Sequence, residues 1–105
     1  MRLVFHPEAR KDLDDRIEYI AKQAGWLVAN QQLARVMASL VSIRQYPFTS
    51  KYNKRRNVFE SWVPRTRFIA LYQVMEADHV VFVVALIDHS RNTSKTKNQL
   101  MKSRR

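Results

Sequence analysis

Val80-Val81-Phe82-Val83-Val84-Ala85-Leu86-Ile87 is the stretch that decides the architecture of this chain. β-Branched, aromatic and aliphatic residues fill it with no alternating polar position, so it predicts a strand that is apolar on both faces. Such a strand needs cover on both sides. That places it centrally in a sheet, between a helical layer and some other covering layer. With eight residues it is the longest apolar run in the chain, well short of the length that spans a bilayer.

Working back from it, Glu76-Ala77-Asp78-His79 reads as the turn of a hairpin whose first strand is Arg67 to Met75. Before that, Val58-Phe59-Glu60-Ser61-Trp62-Val63 begins a strand of mixed faces, broken at Pro64-Arg65-Thr66. Residues 49–57, Thr-Ser-Lys-Tyr-Asn-Lys-Arg-Arg-Asn, are polar and basic without periodicity and read as the main loop. Further back the period changes. Ala9, Leu13, Ile17, Ile20 and Ala24 form the stripe of an amphipathic helix from about residue 7 to 24. Pro7 suits its first position, Glu8, Asp12, Asp14, Asp15 and Glu18 crowd its N-terminal half, and Gly25 is placed to cap its end.

Leu33, Val36, Met37, Leu40 and Ile43 repeat that period in a second helix that ends before Pro47. The short Gly25-Trp26 link predicts an antiparallel hairpin whose apolar stripes face the sheet. Arg2 to Phe5 reads as a short first strand. The fold class is therefore α+β: an N-terminal strand, a two-helix hairpin, then a mostly antiparallel sheet of three or more strands. Residues 1–90 form one domain. Residues 91–105 are expected to be a basic tail, flexible or helical on a partner, because Ser90 to Arg105 hold six Lys/Arg, no acid, and only Leu100 and Met101 as large apolar residues.

The charge is one-sided. The 105 residues carry 19 Lys+Arg against 9 Asp+Glu, a net +10. Residues 1–50 hold seven basic and five acidic side chains, and residues 51–105 hold twelve and four. An acidic partner should meet the second half. Cysteine is absent, which removes disulfides, thiolate zinc sites and a cysteine nucleophile and suits a reducing cytosol. Met1 to Pro7 has no signal-peptide pattern, so the expected location is the cytoplasm.

Most site chemistries lack their residues. His6, His79 and His89 are far apart with no ligand at metal-binding spacing. Gly25, the only glycine, excludes glycine-rich phosphate loops, and no cofactor is implied. No strained nucleophile turn marks a Ser-His-Asp triad. Two sets remain. The loop cations Lys51, Lys54, Arg55 and Arg56 surround Tyr52, a combination suited to phosphate contacts and base stacking; the plainer reading is a solvated loop that keeps a small domain soluble. Arg65, Arg67, Tyr72, His89 and Arg91 lie in and just beyond the strands. There a histidine that titrates near neutrality and phosphate-clamping arginines would suit metal-free RNA cleavage, while the plainer role for His89 is to cap a strand end.

The order of elements, together with His6-Pro7-Glu8-Ala9, Asp12-Leu13, Ile17-Glu18-Tyr19-Ile20-Ala21, Tyr46-Pro47, Arg56, Phe68-Ile69-Ala70-Leu71-Tyr72-Gln73-Val74 and His89-Ser90-Arg91, resembles the ParE/RelE superfamily of bacterial toxin–antitoxin systems. The resemblance implies a toxin that slows growth until a cognate antitoxin binds it. The RelE-like branch cuts mRNA on the ribosome without metal, and the ParE-like branch inhibits DNA gyrase. The helix text and the His-x-Arg ending look like the ParE branch. Where the nuclease branch carries basic residues along its RNA-facing strands, this chain reads Val58 to Val63 with one acid and no base, and Ile69-Ala70 stands before Leu71-Tyr72-Gln73-Val74.

The expected function is therefore a gyrase-poisoning toxin, with Arg56, Arg67, His89 and Arg91 contacting the target. Lys51, Tyr52, Lys54, Arg55 and Arg65 are candidate nucleic-acid contacts. The antitoxin should carry an acidic or amphipathic segment that wraps the helices and the sheet. Two alternatives stay open: a ribosome-dependent mRNA endoribonuclease using His89, Arg67 and Arg91, and a non-toxic nucleic-acid-binding domain.

Overall fold

The computed structural model describes residues 1–89 together with Lys97, Met101 and Arg104. Strand β1 (Arg2–Phe5) is followed by α1 (Pro7–Ala24), α2 (Trp26–Gln45), β2 (Lys51–Asn53), β3 (Val58–Trp62), β4 (Phe68–Met75), a 3-10 turn (Glu76–Asp78) and β5 (Val80–Asp88).

Local chemistry sets the helix ends. His6 stands at the N-cap of α1, where its Nδ1 accepts the Glu8 N–H at 3.1 Å, and Pro7 begins the helix without a donor to leave unpaired. Gly25 then ends one helix and starts the next. Its N–H donates to the Ala21 carbonyl at 2.9 Å, and its own carbonyl accepts from Ala29 at 3.1 Å. A φ of +90° rather than crowding requires glycine there, since an added Cβ would meet nothing within 4 Å.

The five strands are ordered β1-β5-β4-β3-β2. β1 runs parallel to β5, and the other neighbours pair antiparallel. The central place expected for the Val80 run is therefore correct. The loop expected over residues 49–57 needs a correction, because Lys51–Asn53 pairs with β3 and Tyr52 lies opposite Phe59. Three polar residues carry no apolar alternation, and a short, charged edge strand is the kind that pattern reading passes over.

One sheet face carries the main core. Ala9, Leu13 and Ile17 of α1 and Ala29, Val36, Leu40 and Ile43 of α2 pack with Phe68, Ala70, Tyr72, Val81, Val83 and Leu86. Tyr72 is fully buried, and its hydroxyl donates to the Pro47 carbonyl at 2.8 Å, fastening the end of α2 to β4. Burial pushes the Tyr72 phenol above its ordinary range, with a partial offset from Ser50.

Smaller apolar groups occupy the opposite face: Ile69, Leu71, Ala85 and Ile87, and beside them Val58 and Val84 under Met101, with Phe82 packed against them. A register shift at Leu71/Tyr72 makes room for Val84, since Leu71 pairs with Ala85 and Tyr72 with Val83. Part of the second covering layer thus comes from the chain's own C-terminal residues. Lys97 and Met101 are helical, and Lys97, Met101 and Arg104 are all buried. The expectation of a tail for the rest of residues 91–105 lies outside the described residues.

Candidate functional site

Two ends of the sheet surface concern function. The first is built around Glu60, which the β3 alternation places on the face away from the main core, beside the Val58 and Met101 group. It is 8% exposed. A buried carboxylate needs partners, and this one has three: Asn53 Nδ2 donates to Oε2 at 2.9 Å, Arg56 Nη1 approaches the same oxygen at 3.3 Å, and Lys97 Nζ contacts Oε1. Burial by itself would raise the Glu60 carboxyl. The hydrogen bonds from Lys97 and Asn53, with the charges of Lys97 and Arg56, outweigh it and hold the group below the usual carboxylate range. A carboxylate so stabilised is a weak base and is not a proton donor near neutrality.

Arg104 makes a second buried connection. Nε reaches Glu8 at 2.9 Å, Nη1 and Nη2 reach the two Asp12 oxygens at 2.7 and 3.2 Å, and Nη1 also donates to the Val84 carbonyl at 3.0 Å. Burial would lower the Arg104 guanidinium, but Asp12 and Glu8 more than compensate and raise it. These contacts tie the C-terminal residues to the first turns of α1.

At the other end of the sheet the side chains are open to solvent. Trp62 at the end of β3 is 58% exposed, and its ring lies 4.6 Å from the half-buried His89 ring, tilted by 40°. The His89 N–H donates to the Arg67 carbonyl at 2.8 Å, extending the β4–β5 pairing by one residue and setting Arg67 opposite His89. An exposed tryptophan and an imidazole therefore meet at one corner, with the backbone of Arg67 paired beside them, a composition suited to a protein or nucleotide contact.

Next to that corner, the β3–β4 connection is a tight turn. Thr66 N–H and Oγ1 both donate to the Val63 carbonyl, at 3.3 and 2.9 Å. Pro64 takes the second position and Arg65 the third, with φ of +58°. Glycine or asparagine normally stands there, because a Cβ in the left-handed region costs about 1–2 kcal/mol. The Arg65 carbonyl is held by Arg35 of α2 at 3.1 Å. Behind the turn a cleft of about 410 Å³ is lined by Arg16, Ile20, Val28, Gln32, Arg65, Thr66, Arg67, Phe68 and Asp88. Arg16 forms an ion pair with Asp88 on its inner wall.

The residues singled out from sequence are thus spread over the molecule. Arg67 and His89 come together, with Arg65 nearby. Arg56 is remote from them and bonded to Glu60, its side chain 12% exposed. Tyr52 packs on Phe59 at 4.9 Å and donates to Asn57, while Lys51, Lys54 and Arg55 are exposed on the β2–β3 hairpin. Arg91 lies outside the described residues. Sequence reading missed Trp62, whose signal was its place two residues after Glu60 in an alternating strand, and it missed Glu60 as the partner of two cations. Among the described residues, no group of three or more His, Cys, Asp or Glu is arranged to hold a metal ion. No described helix is long and apolar enough to cross a membrane.

Comparison with known proteins gives a consistent picture. The profile of the family described as ParE toxin of type II toxin–antitoxin system, parDE, matches residues 3–93. No curated protein sequence matches the chain. Among solved structures, the chromosomal ParDE toxin–antitoxin system from P. aeruginosa superposes with a TM-score of 0.73 at 16% identity, over 84% of this chain and 95% of that one. A mutant of the E. coli toxin RelE in the free state gives 0.64 at 19% identity, over 97% and 95%. The intact E. coli RelBE toxin–antitoxin complex gives 0.59 at 21% identity, over 86% and 98%. At these identities the structural matches speak for the fold.

Proposed function

The chain belongs to the ParE toxin family of type II toxin–antitoxin systems, and from that premise we propose that it arrests growth by binding DNA gyrase rather than by cutting RNA. Its partner in the resting state is a cognate antitoxin; the ParDE and RelBE assemblies among the similar structures support such a partner. The contact surface is the open corner of Trp62, Arg67 and His89. Arg91, expected from the sequence to take part in target binding, lies outside the described residues. Arg56 acts at a distance, by holding Glu60 and the β2–β3 hairpin in place.

The observation that carries this reading is the state of Glu60. Metal-free cleavage at a ribose needs one group to take the 2′-OH proton and another to protonate the leaving oxygen. His89 can serve once. Glu60, the one acid of β3, is committed to Lys97, Arg56 and Asn53 and held below its usual range. Asp88 is paired with Arg16, its side chain 8% exposed. Around them the sheet face is apolar, with Ile69, Leu71, Ala85 and Ile87 buried together. These buried side chains offer a phosphate no charged or polar contact.

The test is to induce the chain alone in a bacterial host and map new mRNA 5′ ends. Growth arrest with intact messages is expected, and His89→Gln, which keeps a hydrogen bond but does not shuttle a proton, should retain most of the toxicity. New 5′ ends at a fixed codon phase, lost when translation is blocked, would support the endoribonuclease instead. Absence of growth arrest would favour a non-toxic nucleic-acid-binding domain.

A further inference from the structure

The cleft behind the β3–β4 turn shares Arg67 with the open corner and contains the Arg16–Asp88 pair, and the rest of its lining has no part in the reading above. We propose that it is a recognition site for the carboxylate of an acidic, apolar-flanked peptide segment, with Arg65 as the residue that grips it. The inference rests on the toxin reading only in taking the antitoxin as the source of that segment.

Three observations converge. Arg65 occupies a turn position where glycine would be free of strain, at φ +58° after Pro64. A strained residue persists where the surrounding structure fixes it. Here the backbone is fixed on both sides: Thr66 closes the turn onto Val63, and Arg35 holds the Arg65 carbonyl. The side chain itself is exposed at the cleft wall.

The charge around the cleft is unbalanced in favour of an anion. Arg16, Arg65 and Arg67 line it against one carboxylate, Asp88, and that carboxylate is paired with Arg16. Arg35 adds a further cation at the turn. The N-terminal turn of α2, which contributes Val28 to the wall, has no acid and receives no side-chain cap from Gly25. Its partial positive charge is therefore uncompensated on its own element.

The walls decide between anions. Ile20, Val28 and Phe68 line the cleft, and just before Val28 stand Trp26 and Leu27, 62% and 75% exposed. A nucleic-acid backbone would leave those apolar surfaces unused. A peptide presenting Glu or Asp beside Leu or Phe would use both, the carboxylate on the arginine fork and the apolar side chain on the wall. A volume of about 410 Å³ accommodates one or two side chains.

The experiment uses the purified full chain and a fluorescein-labelled octapeptide alternating Glu and Leu, with a Gln-Leu octapeptide and a short DNA duplex as comparisons. The Glu peptide is expected to bind at least about tenfold tighter than the Gln peptide. Arg65→Gly, which relieves the backbone while deleting the guanidinium, should melt no lower than the wild type and bind the Glu peptide about tenfold more weakly. Val28→Glu, which puts a negative charge in the wall, should weaken binding as well. Arg44→Gln, which removes one charge from the far end of α2, should change affinity by less than about twofold.

Three results would overturn the proposal: equal binding of the two peptides, a loss at Arg44→Gln as large as at Arg65→Gly, or a duplex that binds tighter than the Glu peptide through the same arginine. Growth arrest by the wild-type chain is scored separately. Its absence would remove the toxin reading while the titration still decides the cleft, and arrest without any Arg65 dependence in the titration would remove the cleft alone.

Discussion

The two faces of the sheet are held by different forces. Against α1 and α2 the contact is mostly apolar, with Val36, Leu40, Ala70, Val81 and Val83 at or below 1% exposure and the Tyr72 hydroxyl and the Arg16–Asp88 ion pair as polar exceptions. The other face mixes small apolar groups with buried ion pairs, Glu60 with Lys97 and Arg56 at one end, and it opens to solvent at Trp62 and His89. Hydrophobic burial is insensitive to pH and tolerant of salt. Ion pairs are neither. The helical face therefore supplies most of the rigidity, and the other face carries the larger share of buried charge.

The largest expected effect lies on the helical face. Leu40→Ala removes a fully enclosed side chain and should cost about 2–5 kcal/mol in urea unfolding; a loss well under 1 kcal/mol would mean that the helices do not carry the fold. Next comes Glu60→Ala. It strands Lys97 and Arg56 without their carboxylate and should cost about 2 kcal/mol, below the full penalty for a buried pair because both cations have long stems with which to reach water. If that variant is as stable as the wild type, the ion pairs do not fasten the C-terminal residues.

Acid should separate the faces without any mutation. The Glu60 carboxyl is lowered in the folded state, so its contribution is fully present above the unfolded carboxyl pKa of about 4.3 and is lost as the pH falls through the lower folded value. Thermal unfolding of the wild type should weaken over that acid window, and Glu60→Gln should flatten the slope. An unchanged slope in the variant would assign the acid sensitivity to other carboxylates. The smallest stability effect is expected at the open corner, where Trp62→Ala should shift unfolding by no more than about 0.5 kcal/mol while markedly reducing toxicity. A large loss of stability there would make Trp62 part of the core instead of a contact.

Legibility in the sequence follows the same division. A period of 3.6 in apolar residues marks α1 and α2, and runs rich in β-branched and aromatic residues mark β4 and β5, because extensive burial leaves a trace in composition and spacing. β2 leaves none, since Lys51–Asn53 is held by backbone pairing to β3 and carries polar side chains. Lys97, Met101 and Arg104 recur at helical spacing, but only one of them is apolar, and their partners Glu60, Glu8 and Asp12 are distant in sequence. The meeting of Arg67 with His89 depends on strand register, and the left-handed Arg65 on a turn whose residues other than Pro64 give no warning. What the sequence conceals is the long-range electrostatics and the backbone geometry, and these are what shape the candidate site.

On the function proposed above, this chain acts by contact through its open corner. The most direct test is ATP-dependent supercoiling by purified DNA gyrase titrated with the wild-type protein and with Trp62→Ala. Inhibition by the wild type, weakened about tenfold or more in a variant of unchanged melting temperature, is the predicted result. Undiminished supercoiling at every concentration of the wild-type protein would contradict it.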